Sequence, residues 1–126
     1  MPAIKFNVCP IEPNKGKTWE KLKSPRIGEK FTTMRRFDDE KYAYYESLVG
    51  KTAHVFNEKK WMGIVEVLRV EKIHASELTE EQVKEDTFKR WNIKYFNELL
   101  ELYYKSSDIY LIMLHMKWVE TPKAPI

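Results

Sequence analysis

At 126 residues, 43% hydrophobic and 13% aromatic, the chain is one domain's worth and can build a core without metal or disulfide help. Lys and Arg number 22 against 19 Asp and Glu, a net +3 that permits an anionic partner without demanding one; the lone Cys9 excludes an internal disulfide and points to a reducing, cytoplasmic setting. The most apolar run, residues 109–116, is about eight residues against the ~20 that span a bilayer, and residues 1–6 lack the apolar core of a signal peptide, so no membrane partner is expected.

Residues 4–9 alternate apolar and polar types, as a first strand with one face inward, and Pro10 and Pro13 bound it. Residues 14–25 are lysine-rich, with Trp19 and Leu22 as apolar contacts, and read as a loop or one short helix. Gly28 ends that loop, since glycine tolerates the backbone angles of a sharp turn. Residues 31–37 then form a strand, with Phe31, Thr33, Arg35 and Phe37 on one face and Thr32, Met34 and Arg36 on the other.

Asp38, Asp39 and Glu40 open a short amphipathic helix that carries Tyr42, Tyr45, Leu48 and Val49 and stops at Gly50. Its tyrosine stripe reads as core rather than as a base-stacking surface. Next come a strand over 52–56, a polar connection and a longer strand over 61–70; the longer one is apolar on both faces, as in a barrel strand covered by helices. Glu66 within it either faces solvent or pairs with a base such as Arg69 or Arg35. Either Ser76 or Thr79 caps the next helix, which runs through Val83 toward Asp86. A second helix over 93–104, with Asn92 as its cap, carries Phe96, Leu99, Leu100 and Tyr103 on one stripe. Residues 109–119 read as a central strand and 121–126 as a tail. The strands between 52 and 70 are joined by a hairpin-sized loop, which rules out a βαβ unit and fits a small mixed barrel with peripheral helices.

Chemistry concentrates in Gly28-Glu29-Lys30-Phe31-Thr32-Thr33-Met34-Arg35-Arg36, where a glycine turn, a lysine, two hydroxyls and an arginine pair crowd together. The spacing Gly28-x-Lys30-x-x-Thr33-x-Arg35 resembles the signature of the ASCH domain, a PUA-like β-barrel family in which glycine, lysine, an acidic residue and arginine recur at those intervals. The barrel-like run of strands, the acidic helical segment and the last strand come after the motif in the same order as in that family. Thr33 stands where many members carry glutamate, a departure shared with small members that look like N4-acetylcytidine amidohydrolases. The resemblance covers roughly residues 25–120; residues 1–24 form a strand and a lysine-rich segment packed on that domain. It implies an α+β fold, a small mixed PUA-like β-barrel with peripheral helices, and RNA or a modified nucleoside as partner.

Lys30 and Thr33, three apart, face opposite ways on an unbroken strand and meet only if Lys30 sits in the glycine turn before pleating begins. A lysine desolvated there loses pKa and can act as a base toward a hydroxyl. In the amidohydrolase-like members a lysine and a threonine at these positions and an acidic residue after the long strand are catalytic. Carried over, these are Lys30 as base, Thr33 as nucleophile and Asp86, preferred to its neighbour Glu85, orienting or shuttling protons. For binding, Lys30, Arg35 and Arg36 supply donors for phosphate or a base edge. Lys59-Lys60-Trp61 and Lys89-Arg90-Trp91 each set two cations beside a flat ring, the pairing used in single-strand recognition, and Trp91 would wall the pocket of Asp86.

His54, His74 and His115 lack metal-ligand spacing and four glycines cannot build a phosphate or dinucleotide loop, so neither metal nor cofactor is expected. An RNA- or nucleoside-binding protein is the primary expectation. An amidohydrolase acting on an acylated cytidine is the alternative, and an interaction module with a vestigial pocket the third.

Overall fold

Five strands form one curled mixed sheet in the computed structural model, which describes residues 2–7, 22, 25–87, 93–105 and 108–122. The strands are β1 (Ala3–Phe6), β2 (Lys30–Arg36), β3 (Thr52–Asn57), β4 (Lys60–His74) and β5 (Tyr110–Glu120). The helices are α1 (Asp39–Ser47), α2 (Glu80–Thr87) and α3 (Ile93–Tyr104), with a 3-10 turn, Ala75–Glu77, after β4. Across the sheet the order is β1-β3-β4-β5-β2; β1 runs parallel to β3 and every other pair is antiparallel.

Two apolar clusters grow from the two faces of the sheet. Inside the curl lie Ile4, Phe31, Val55, Val65, Val67, Ile112, Leu114, Met116 and Trp118, with Tyr45 of α1 and Leu48 at its C-cap inserted. On the outside Leu111 and Met113 of β5 pack against Val83 of α2 and Phe96 and Leu100 of α3. β5 feeds both clusters, even positions inward and odd positions outward, as period-two alternation requires. The tyrosines of α1 divide in the same way, Tyr45 buried at 7% exposure and Tyr44 open at 44%.

Three local features fix the frame. Val67 pairs with Met116 and Arg69 with His115, so Leu68 is an unopposed bulge residue. That extra residue reverses the alternation of β4, and Val65 and Val67 point inward while Arg69 lies on the side of His115. Gly63 has φ +137, and a Cβ there would lie 2.4 Å from the Glu120 carbonyl oxygen and 2.9 Å from the Trp118 ring, so only glycine lets β5 come this close. Arg35 then holds the curl shut. β1 and β2 are opposite edges of the sheet, yet Arg35 on β2 donates through Nη2 to the Lys5 carbonyl on β1 at 2.6 Å. Its guanidinium also lies 5.0 Å from the centre of the Phe6 ring and 5.9 Å from that of Tyr45.

The open alternatives of the sequence resolve here. Glu66 pairs with Lys117 at 3.6 Å, its cross-strand partner in register, and not with Arg69 or Arg35. Thr79 rather than Ser76 caps α2: its Oγ1 accepts from the Gln82 amide at 3.1 Å and Gln82 Oε1 accepts from the Thr79 amide at 2.9 Å, a reciprocal capping box. β4 continues past Val70 to His74. Most of the lysine-rich segment lies outside the described residues; Leu22 from it is fully buried in the inner cluster.

Candidate functional site

Cross-strand register places the polar residues of the outer face in rows at one end of the sheet. Lys30, Lys117 and Glu66 form one row across β2, β5 and β4, and Thr32, His115 and Arg69 the next. The third row, Met34, Met113 and Glu71, borders the apolar cluster under α2 and α3. Helix α2 packs over β2, and between helix and sheet runs a groove of about 1180 Å³. Lys30, Thr32, Arg69 and His115 line its sheet side, and Glu80, Glu81 and Lys84 its helix side. Leu68, partly open, contributes apolar surface, while Phe31 and Met116 border the groove with their side chains turned into the inner cluster.

The charges around His115 form a small network. Glu71 Oε2 lies 2.5 Å from His115 Nε2 and 3.2 Å from Arg69 Nη2. A carboxylate only accepts, so this contact favours the imidazole with its proton on Nε2. Thr32, at 6% exposure, is the cross-strand neighbour of His115, and residues so paired hold their Cβ atoms roughly 5 Å apart.

Of the residues singled out in the sequence, Lys30 lines the groove and Thr33 does not. Lys30 is not part of the glycine turn. It pairs with Lys117, and the pairing reaches back past it, Gly28 donating to the Trp118 carbonyl at 2.8 Å and Trp118 to the Glu29 carbonyl at 3.0 Å. Pleating has therefore begun at Lys30, and Thr33 shares the inner side with Phe31, which stacks on Trp118 at 5.0 Å between ring centres. The condition for Lys30 and Thr33 to share a cavity is not met.

Arg35 lies on that inner side too, as the clasp between β1 and β2. Arg36, exposed, ends β2. At the β3–β4 hairpin Lys60 is exposed and the Trp61 indole donates to His54 Nδ1 at 3.0 Å; neither residue lines the groove. Glu85 and Asp86 fall on α2, the helix that walls the groove, but their side chains lie outside the described residues, as does the whole of Trp91.

Thr32, Arg69, His115, Glu80, Glu81 and Lys84 were not anticipated. A signal existed for two of them: Thr32 is two residues from Lys30 and so shares its face, and His115 is the one polar side chain in the run 111–116. Arg69 reaches the groove only because of the Leu68 bulge, and no sequence rule announces that. Among the described residues there is no group of three or more His, Cys, Asp or Glu able to hold a metal, and no helix long and apolar enough to cross a membrane.

This architecture is that of solved ASCH-type structures. The chain superposes on an ASCH domain from Lactobacillus crispatus JV V101 with a TM-score of 0.64 at 16% identity, covering 94% of this chain and 80% of that one. It is similar also to protein EF3133 from Enterococcus faecalis V583, described by the family model DUF984, with a TM-score of 0.60 at 15% identity, covering 96% and 78%. No family model and no curated protein matches the sequence. The chain thus has the fold of a solved ASCH domain, a small mixed α+β half-barrel.

Proposed function

We propose that the chain binds RNA, or a modified nucleoside of the kind RNA contains, in the groove between α2 and the outer face of β2, β5 and β4. The observation that carries this is the meeting of Lys30 with Arg69, Lys84, Glu80 and Glu81 around one groove of nucleoside-accommodating size. Ammonium and guanidinium groups suit phosphate oxygens and base-edge acceptors, and carboxylates suit exocyclic amines such as N4 of cytosine. Leu68 offers apolar surface to the face of a base. The likeness to an ASCH domain favours the same reading. Arg36 and the Lys60–Trp61 pair would be flanking contacts, and Glu85, Asp86 and Trp91 are proposed as further contacts on the sequence pattern alone.

The test is titration of the chain with single-stranded RNA, cytidine and N4-acetylcytidine at several salt concentrations. Lys30→Ala should weaken binding and flatten its salt dependence without moving Tm. Absence of binding for all three ligands overturns the proposal.

One observation favours catalysis as a second reading. The hydroxyl facing the groove beside Lys30 belongs to Thr32, next to an imidazole that Glu71 orients. An amidohydrolase built here would use Lys30 and Thr32, with the acid supplied from α2. Acetate released from N4-acetylcytidine, lost in Lys30→Ala and Thr32→Val and kept in Thr33→Val, would support it; loss in Thr33→Val instead would return the nucleophile to the motif position.

A further inference from the structure

At the other end of the sheet three rings stand side by side on the inner face. His74 ends β4, Tyr110 begins β5 and is its cross-strand partner, and Phe37 comes directly after β2 with its amide donating to the Tyr110 carbonyl at 2.8 Å. The His74 and Tyr110 rings meet edge to face at 4.8 Å between centres, and Tyr42 of α1 backs Phe37 at 5.5 Å. Lys72 lies over the row, its Nζ 4.2 Å from the centre of Phe37 and 4.6 Å from that of Tyr110. Phe37 is half-buried against the inner cluster, but Tyr110 is 50% exposed and Lys72 is open to solvent. His74 is held in place by Asp108 at 2.9 Å and by the Ser76 amide at 3.1 Å.

We infer that this row is a stacking platform for a base of single-stranded RNA, with Lys72 as the cation that serves the adjoining phosphate. The inference rests on the RNA reading above but uses a different face and end of the sheet. Flat rings for bases and a cation for the backbone is the pairing that binds single strands with little sequence preference. Without RNA the ammonium rests on two ring faces, where the ring quadrupoles attract it. A base stacking on Tyr110 displaces the ammonium, which then meets the phosphate beside that base, so the same lysine shields the platform when empty and neutralises the strand when filled. From Lys30 to Phe37 along β2 is on the order of 20 Å. β2 is the sheet edge between groove and platform, so one strand of RNA passing over that edge reaches both.

The experiment uses the full chain and a single-stranded oligoadenylate carrying one fluorescent aminopurine, with affinity measured over a range of salt. Binding should quench the aminopurine through stacking. Tyr110→Ala should lose that quenching and weaken affinity by about five- to 150-fold, the worth of one stacked base, while Tyr110→Phe retains both. Lys72→Met should lower the slope of log affinity against log salt by about one, the signature of one lost phosphate contact. Unchanged affinity and quenching in both Tyr110→Ala and Lys72→Met would show a purely structural ring cluster and overturn the inference. If Lys30→Ala weakens RNA binding and the platform variants do not, the inference falls and the groove reading stands; if the chain binds no RNA, both fall.

Discussion

The two faces of β2 carry the same motif to different ends. On the inner face Phe31, Thr33 and Arg35 are enclosed: Phe31 stacks on Trp118, Thr33 is 5% exposed, and Arg35 ties one edge of the half-barrel to the other. On the outer face Lys30 and Thr32 border a groove whose far wall is a helix. Residues adjacent in a linear pattern are thus separated by a sheet's thickness, and what decides their roles is what covers each face. Around Phe31, Thr33 and Arg35 the inner face is closed by the curl of the sheet and by α1, so the polar groups there become structural. The outer face is covered by separate helices that leave one end open, so its polar groups stay accessible.

Substitutions can break or sharpen that contrast. Trp118→Ala empties the centre of the inner face and should destabilise the fold by about 3–5 kcal/mol in chemical denaturation, the range for a buried tryptophan or phenylalanine truncation. Gly63→Ala should be next, at about 1–3 kcal/mol, because its methyl group meets backbone and ring at a φ that alanine avoids; a Tm equal to that of the unaltered chain would show that β4 and β5 can part there without cost. Arg35→Ala removes the bond to the Lys5 carbonyl and the contact with Phe6. A loss of about 1–2 kcal/mol is expected, with faster amide exchange in β1 and β2 than in β4 and β5. Uniform exchange across the sheet would mean that the edges are held by something else. Thr79→Ala, at the cap of the groove-lining helix, should cost about 1 kcal/mol. Lys30→Ala is expected to leave stability within about 0.5 kcal/mol while it weakens ligand binding, the reverse of Arg35→Ala. A large loss of stability in Lys30→Ala would erase the contrast between the two faces.

Much of this fold was legible because alternation and punctuation are local. Phe31, Thr33 and Arg35 share a face by spacing alone, whereas α1 ends at Ser47, three residues before the glycine expected to stop it. The site was harder. Lys30 and Thr32 share a face by the same rule, but grouping by motif drew attention to Thr33 instead. His115 lies 85 positions from Lys30 in the chain and two strand positions away across the β2–β5 pairing, a proximity that only register creates. For Glu66 the sequence left open solvent or a basic partner such as Arg69 or Arg35, and register supplied the base as Lys117.

By itself the amino-acid sequence determined where strands and helices lie, which side chains seek burial, and that a lysine two residues from a threonine points the same way. Those properties come from backbone periods and side-chain solubility, which act over a few neighbouring residues. The tertiary structure alone decided that Arg35 clasps two distant edges, that a bulge at Leu68 turns Arg69 outward, and that α2 stands over β2 to make a groove. Each depends on which segments far apart in the chain come into contact, and the geometry of such contacts is set by the packing of the whole sheet rather than by any single stretch.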